Sequence, residues 1–453
     1  MIKATLFATT ALGVAVLASV GQAQTMIPEV PVPTPPISPA EPTQRPELFG
    51  QFLQRGQTVL ERPRPELDPL GLRYGSFFLY PKLTVDEVYN NNIFATKNAK
   101  RSDWITVVSP TLNLRSNFSS HAINFGAGAS VGTYARSSTE NYGDYFVGGD
   151  GRYDFSRYLA GLAAAKYEHL HEERESVDAP VASRNPIEFD AYTARLGVTQ
   201  HDLRIGYTAG IDFRRYEFQN GKFASGVPII ENVRDVNIYS PNLQFTYELQ
   251  PHYQMFVRGI GDFRRYDHVD PGIGARRDSN GFRADVGGRV DLTGVTYAEF
   301  AIGYLDQEYQ APGLTPISGV DANAKVVWNV TQLTSVTFNA LRTAQDANTT
   351  ALAQNGNPVT SAGYLRSVVG VAVDHELLRN VLLHGEANFE NDDYQGFDRS
   401  DNRYDIGAGA RYMFTRNLYV GAAFTYTNRS SSGTFAAGQF NRDLFLLRLG
   451  AQL

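Results

Sequence analysis

From Gly75 to Leu453 apolar and polar residues alternate with a period of two, and this constrains the fold more than any other property of the chain. In Asn402–Met413, Tyr404, Ile406, Ala408, Ala410 and Tyr412 share one phase, while Arg403, Asp405, Gly407, Gly409 and Arg411 share the other. In Phe282–Leu292, Phe282, Ala284, Val286, Gly288, Val290 and Leu292 oppose Arg283, Asp285, Gly287, Arg289 and Asp291. Residues 381–390 repeat the pattern, with Val381, Leu383, Gly385, Ala387 and Phe389 opposing His384, Glu386, Asn388 and Glu390. Successive side chains point to opposite faces in a strand, so these are two-faced strands and not helices.

Eighteen such segments can be placed, from 75–88 to 441–453. An open antiparallel sheet of that width exposes two unpaired edges, and closure removes them. The connections give a second signal. Eight are short, such as Ser116–Ser119, Ser156–Tyr158 and Phe414–Asn417; nine are long and polar, such as 89–102, 173–186 and 218–232. An even-stranded barrel with both termini on one side needs that alternation. The expected fold is therefore all-β: a transmembrane antiparallel barrel of the bacterial outer membrane, about 18 strands, with short turns and both termini in the periplasm. A β-solenoid would show a short repeating coil, and none is present. A soluble sandwich would carry an ordinarily polar outer face, whereas here one face stays apolar from strand to strand.

The first 23 residues read as a signal peptide: Lys3, an apolar stretch from Ala4 to Val20, and a small-x-small site at Gly21 and Ala23. Residues 24–71 are Pro-rich and cannot form a central strand or helix interior. They are expected to be a stiff periplasmic tether that holds a partner in preference to plugging the barrel, with a short helix between Leu48 and Glu61. The barrel is assigned to 72–453. Zero Cys excludes disulfides and thiolate chemistry, and a net charge of -6 argues against a nucleic-acid partner. Beyond the N-terminus no run of 18 apolar residues exists for a membrane helix.

With the apolar face turned to lipid, the other phase lines a polar duct. Its pore-lining candidates are Arg204, Arg258, Arg283, Asp285, Arg289, Asp291, Glu299, Asp374, Glu386, Arg403, Asp405, Arg411 and Arg448, with Glu168 and Glu390 in the same phase. The phase is forced, because Arg or Lys facing lipid at midplane costs roughly 2–4 kcal/mol. The mixed signs suit a wet lumen with cross-wall pairs and no strong preference for either sign; the plainer reading is that these residues only satisfy one another. IDFRRYEF from Ile211 is echoed by GDFRRYDH from Gly261. It places Asp212, Arg214, Asp262 and Arg264 inward near the outer rim, as a charged constriction, a saccharide ledge or simple rim salt bridges. Aromatics beside short turns, including Tyr153, Phe155, Tyr158, Tyr247, Tyr253, Tyr412, Phe414 and Tyr419, read as an interfacial girdle. His169 and His171 in HLHEE are a weak metal candidate, and no nucleophile elbow, phosphate loop or dinucleotide fingerprint occurs. No metal and no cofactor is expected.

Residues Arg62–Phe94, RPRPELDPLGLRYGSFFLYPKLTVDEVYNNNIF, continue through Ser102, Asp103, Pro110 and Ser116–Ala122. This stretch resembles the proteobacterial outer-membrane family called putative β-barrel porin 2, which includes barrels of exopolysaccharide biosynthesis clusters. The resemblance covers residues 62 to 453. It implies a role at polysaccharide export loci, with periplasmic export proteins and the polysaccharide itself as partners. Outer-membrane barrels commonly end in Phe for the barrel assembly machinery; this chain ends in Leu453 with its strand phase intact. The leading expectation is a non-enzymatic channel for exopolysaccharide secretion or hydrophilic solute passage. The alternative is a closed structural or polysaccharide-binding barrel that anchors a surface or export assembly, and an outer-membrane enzyme is a third.

Overall fold

The computed structural model describes residues 56–453, apart from 181–182, 203, 348–349 and 353–357. Eighteen long strands form the wall: β1 Phe77–Asn90, β2 Asp103–Ser116, β3 Ala122–Tyr134, β4 Tyr142–Asp154, β5 Leu159–His171, β6 Glu188–Asp202, β7 Ile205–Phe218, β8 Val236–Gln250 and β9 Tyr253–Tyr266, then β10 Ser279–Asp291, β11 Thr296–Tyr309, β12 Ile317–Thr331, β13 Thr334–Asp346, β14 Gly363–Leu378, β15 Val381–Tyr394, β16 Ser400–Met413, β17 Leu418–Ser432 and β18 Phe440–Gln452. Each pairs antiparallel with its neighbours in sequence, and β18 pairs with β1 from Lys82↔Gln452 to Asn90↔Leu444, closing the wall. At 13 to 16 residues the strands exceed the roughly 9–11 needed to cross a bilayer. None of the described residues forms a helix long and apolar enough to cross.

Backbone pairing also fixes the turns. The expected turn at Gln200–His201 moves, because Gln200↔Tyr207 through Asp202↔Ile205 stay paired. At Leu249–His252 the pairing runs on to Gln250↔Tyr253. Short connections therefore gather at one end of the barrel and long ones at the other, eight and nine in number.

The two faces are distinct. Val286 is 48% exposed while its neighbour Asp285 is 3% exposed. Phe282, Phe300, Ile302, Tyr404, Ile406, Leu447 and Leu449 extend the same outward apolar belt. The interior is less uniformly polar than expected. Val88, Ile105, Val107, Tyr142, Ala423, Leu444 and Leu446 form an apolar patch inside the seam where β17 and β18 meet β1 and β2.

The N-terminal segment is held against the barrel over its described part. Residues 24–55 lie outside the described residues, as does most of the helix expected over Leu48–Glu61; its last residues, Val59–Glu61, make one 3₁₀ turn. From Gly56 the chain lies inside the short-turn mouth of the barrel as a strap. Gly56 abuts the Tyr297 ring on β11. The Gln57 carbonyl accepts from Asn329 on β12 at 3.2 Å, and the Val59 N–H donates to Ser335 Oγ on β13 at 2.8 Å. Arg64, 1% exposed, donates to Glu376 on β14 at 2.8 Å. Leu60 packs with Leu382, Met413 and Tyr419 on β15, β16 and β17. Proline excludes this segment from the wall, but one apolar anchor and one buried ion pair give it a place within the mouth. It then leaves through Leu72–Tyr74, which pairs back on the start of β1 across Gly75, whose φ of 58° suits glycine.

Candidate functional site in the lumen

Period-two phasing delivers the charged side chains inward, and strand register decides which of them meet. Arg258 and Asp285 are direct cross-strand partners, 2.6 Å apart and both buried. Arg289 meets Glu299 at 3.0 Å and Arg448 meets Asp86 at 2.6 Å, again directly opposite. Asp374 meets His384 at 2.6 Å, and His384 stands 3.8 Å from Glu386. Arg283 reaches Asp321 at 3.5 Å, and Arg403 grips Asp405 two positions along the same strand at 2.7 Å. Arg411 lies over the Tyr419 ring, 3.7 Å from its centroid. Most inward charge is thus neutralised pairwise, the plainer of the two readings. Asp86, Asp321, Arg195, Arg366 and Asp392 belong to the same lattice, although the sequence reasoning passed over them. Asp86 was legible, because Thr84, Asp86 and Val88 alternate with Val85, Glu87 and Tyr89.

Three expected placements change. Arg204 has the right parity but sits exposed on the short turn between β6 and β7, beyond the last paired residue, so it does not line the interior. Asp291 ends β10 and accepts from the Gly294 N–H at 2.7 Å, which makes it a turn residue. Tyr419 leaves the proposed girdle, being fully buried and inward, where a Cβ at Gly450 would fall 2.1 Å from its ring. Tyr153, Phe155, Tyr158, Tyr247, Tyr412 and Phe414 are exposed outward.

The echoed motif behaves as its phase requires. Arg214 on β7 and Arg264 on β9 both stand opposite Ile238 on β8, at one height on either side of it. Both line a cavity of about 70 Å³, with Tyr216, Phe218, Asp178 and Asp346. Their acids diverge. Asp262 pairs with Arg264 at 2.7 Å, whereas Asp212 turns to Arg195 on β6 and accepts from Asn242 on β8 at 2.8 Å. Asp346 holds Arg264 and accepts from the Tyr266 and Tyr309 hydroxyls at 3.1 and 2.6 Å.

The largest feature that the sequence reasoning missed is the β5–β6 loop, whose described residues 172–180 fold into the lumen. Glu172 takes two bonds from Arg234, at 2.8 and 3.0 Å. Arg234 is largely covered in the β7–β8 loop against the Phe218 ring, and Glu172 with its neighbours holds it firmly protonated despite the loss of solvent. Arg174 grips Glu140 at 2.7 and 2.9 Å. Val177 packs against a cluster of Tyr364, Tyr394, Phe397 and Phe435 on the other side, and Glu175 reaches arginines of β16, β17 and β18. The loop therefore reaches across the long-loop mouth, while the strap lies along the short-turn mouth against β11 to β17. Loops carry no side-chain period, so nothing in the sequence marked it. HLHEE, at its base, splits apart: His171 bonds Asp144 and stacks on Tyr142, while His169 bonds Asp190. Among the described residues no three metal-ligating side chains converge.

Residues 64–453 match the family described as "Putative beta-barrel porin 2". Among curated proteins, none matches the sequence. Solved structures similar to the chain include Pseudomonas aeruginosa OpdL, at 11% identity over 84% of this chain and 99% of that one, with a TM-score of 0.42. The P. aeruginosa outer-membrane protein OpdK is similar at 12% identity over 83% and 99%, with a TM-score of 0.41. The copper transporter OprC is similar at 9% identity over 84% and 82%, with a TM-score of 0.48. At such distances nothing follows about solute.

Proposed function

The chain belongs to the putative beta-barrel porin 2 family, and from that premise we propose that it is a non-enzymatic channel of the bacterial outer membrane passing small hydrophilic solutes. The observation that carries this reading is the inward lattice of charged side chains. Such a lattice has no use in a barrel filled with apolar side chains, and it lines the inner wall with charged groups. The strap and the β5–β6 loop favour small solutes over a polymer, because an exopolysaccharide strand would have to displace both. The lining candidates are Arg258, Arg283, Arg289, Glu299, Glu386, Arg403 and Arg411. The long loops face outward and both termini face the periplasm.

One observation favours a second reading: each mouth carries an inward segment held by buried ion pairs, as in a closed barrel that anchors a surface assembly. Single-channel recording in planar bilayers separates the two. Discrete ion-conducting steps are expected from the purified full-length protein. Silent, correctly folded barrels would overturn the channel reading in favour of the closed one.

A further inference from the structure

Glu175 comes from the β5–β6 loop, yet its carboxylate is held by a wall that begins five strands away round the closed barrel. Arg442 on β18 makes ion-pair contact with its Oε2, and Arg403 on β16 lies 3.4 Å from its Oε1. Arg429 on β17 donates to its main-chain carbonyl at 3.2 Å. All four side chains are buried: Glu175 is 7% exposed, Arg442 5%, Arg429 6% and Arg403 8%.

The wall arginines do not depend equally on this loop. Arg403 has Asp405, and Arg429 shares Asp401 with Arg399. Arg366, nearby, has Glu390 and Asp392. Among the described residues Arg442 has no ion pair other than Glu175, and its buried Nε–H makes no hydrogen bond. Five guanidiniums gather here, four on the wall (Arg366, Arg403, Arg429, Arg442) and Arg399 on the loop before β16, with four wall carboxylates (Glu390, Asp392, Asp401, Asp405), and Asp178 of the β5–β6 loop also acts on Arg399. The ion pair of Arg442 is still made by the loop alone. A buried cation without its anion is costly, so whatever replaces Glu175 here has to be an anion of similar size.

We infer that Arg403, Arg429 and Arg442 form a carboxylate-binding subsite at the long-loop mouth, which Glu175 occupies in cis. A small carboxylate solute that takes its place restores the ion pair with Arg442 and the contact with Arg403, while Arg429 loses its bond to the loop main chain, and the loop is freed from the wall. This deepens the channel reading by naming a solute class, small carboxylates, and it is tested without current flow so that the two can fail separately.

The probe is succinate, with glucose as the neutral control, titrated calorimetrically into the full-length protein in detergent. Glu175→Ala removes the competitor and leaves the arginines in place. Succinate should bind this variant at least about tenfold more tightly than the parent, a gain of about 1.4 kcal/mol. Glucose should show no such difference. The double variant Glu175→Ala with Arg442→Gln should lose the gain. Heat-modifiable migration on gels confirms that each variant is a folded barrel. Should one of them misfold, Glu175→Ser and Arg442→Met, which likewise remove the competitor and the cation, replace them. Equal succinate affinity in parent and Glu175→Ala, or a gain that survives loss of Arg442, overturns the inference. Absence of conductance leaves it standing and removes only the channel reading.

Discussion

Val286 and Arg289 lie three positions apart on β10 and meet different solvents. Val286 is half exposed on the outward belt, and Arg289 is buried inward beside Glu299. Their phases were readable directly from the sequence, because an outward arginine at midplane costs roughly 2–4 kcal/mol and selection against it leaves a strict period. Val286→Arg should therefore reduce the folded fraction recovered in lipid vesicles, read by heat-modifiable gel migration, while the paired change Arg289→Gln with Glu299→Gln, which leaves no unpaired charge, should leave it near the parent level. Equal losses would mean that the faces are assigned the wrong way round. What phase does not reveal is the partner. Arg258 finds Asp285 because of one register, and Asp212 finds Arg195 in place of Arg214 because of another. Register is a property of paired strands, and a single residue slip would change every partner while leaving every period intact. Arg204 shows the complementary failure: its parity was right, but the strand ends before it.

At the scale of elements, strands were legible and inward-folded segments were not. A strand announces itself through alternation. The strap Gly56–Leu67 and the β5–β6 loop are held by isolated side chains with no period, and their meaning depends on the wall they meet. For the strap those side chains are Leu60 in its apolar cluster and Arg64 on Glu376. Removing one partner of such a buried pair costs roughly 3–5 kcal/mol, so Arg64→Ala should release the strap while the wall stays folded. A nitroxide on Thr58→Cys reports this directly, since the chain has no other cysteine; its spectrum should sharpen in the Arg64→Ala background and would stay broad if the strap were held elsewhere. A weaker, exposed contact is pH-sensitive. The Arg379 guanidinium, 2.5 Å from Glu66, holds that carboxyl below its ordinary range. A depressed carboxyl stabilises above its unfolded pKa and loses that contribution as pH falls through the folded value. The same nitroxide should thus gain mobility on acidification below about pH 4, and Glu66→Gln should remove that part of the pH response. An identical acid response in Glu66→Gln would assign it to other groups.

For the molecule as a whole, the alternation of short and long connections sets the orientation that we propose. Because the chain is cysteine-free, single cysteines at the exposed positions Thr293, on a short turn, and Ser225, in the β7–β8 loop, can be labelled in intact cells. Ser225→Cys should react with an impermeant maleimide and Thr293→Cys should not; the opposite pattern would invert the barrel. The same axis places the strap and the β5–β6 loop at opposite ends of one lumen, where their resistances to ion flow add in series. Removing one then leaves the other limiting. Deletion of residues 24–68 should raise single-channel conductance modestly, and Glu175→Ala should do the same by loosening the loop from Arg403, Arg429 and Arg442. Joined in one chain, the two changes should raise conductance by more than the sum of their separate effects, because only then does no narrow mouth remain. If deletion of the strap alone gives the full conductance of the double variant, the β5–β6 loop is no barrier and the long-loop mouth is open in the native protein. If Glu175→Ala alone gives it, the strap leaves a path for ions beside it.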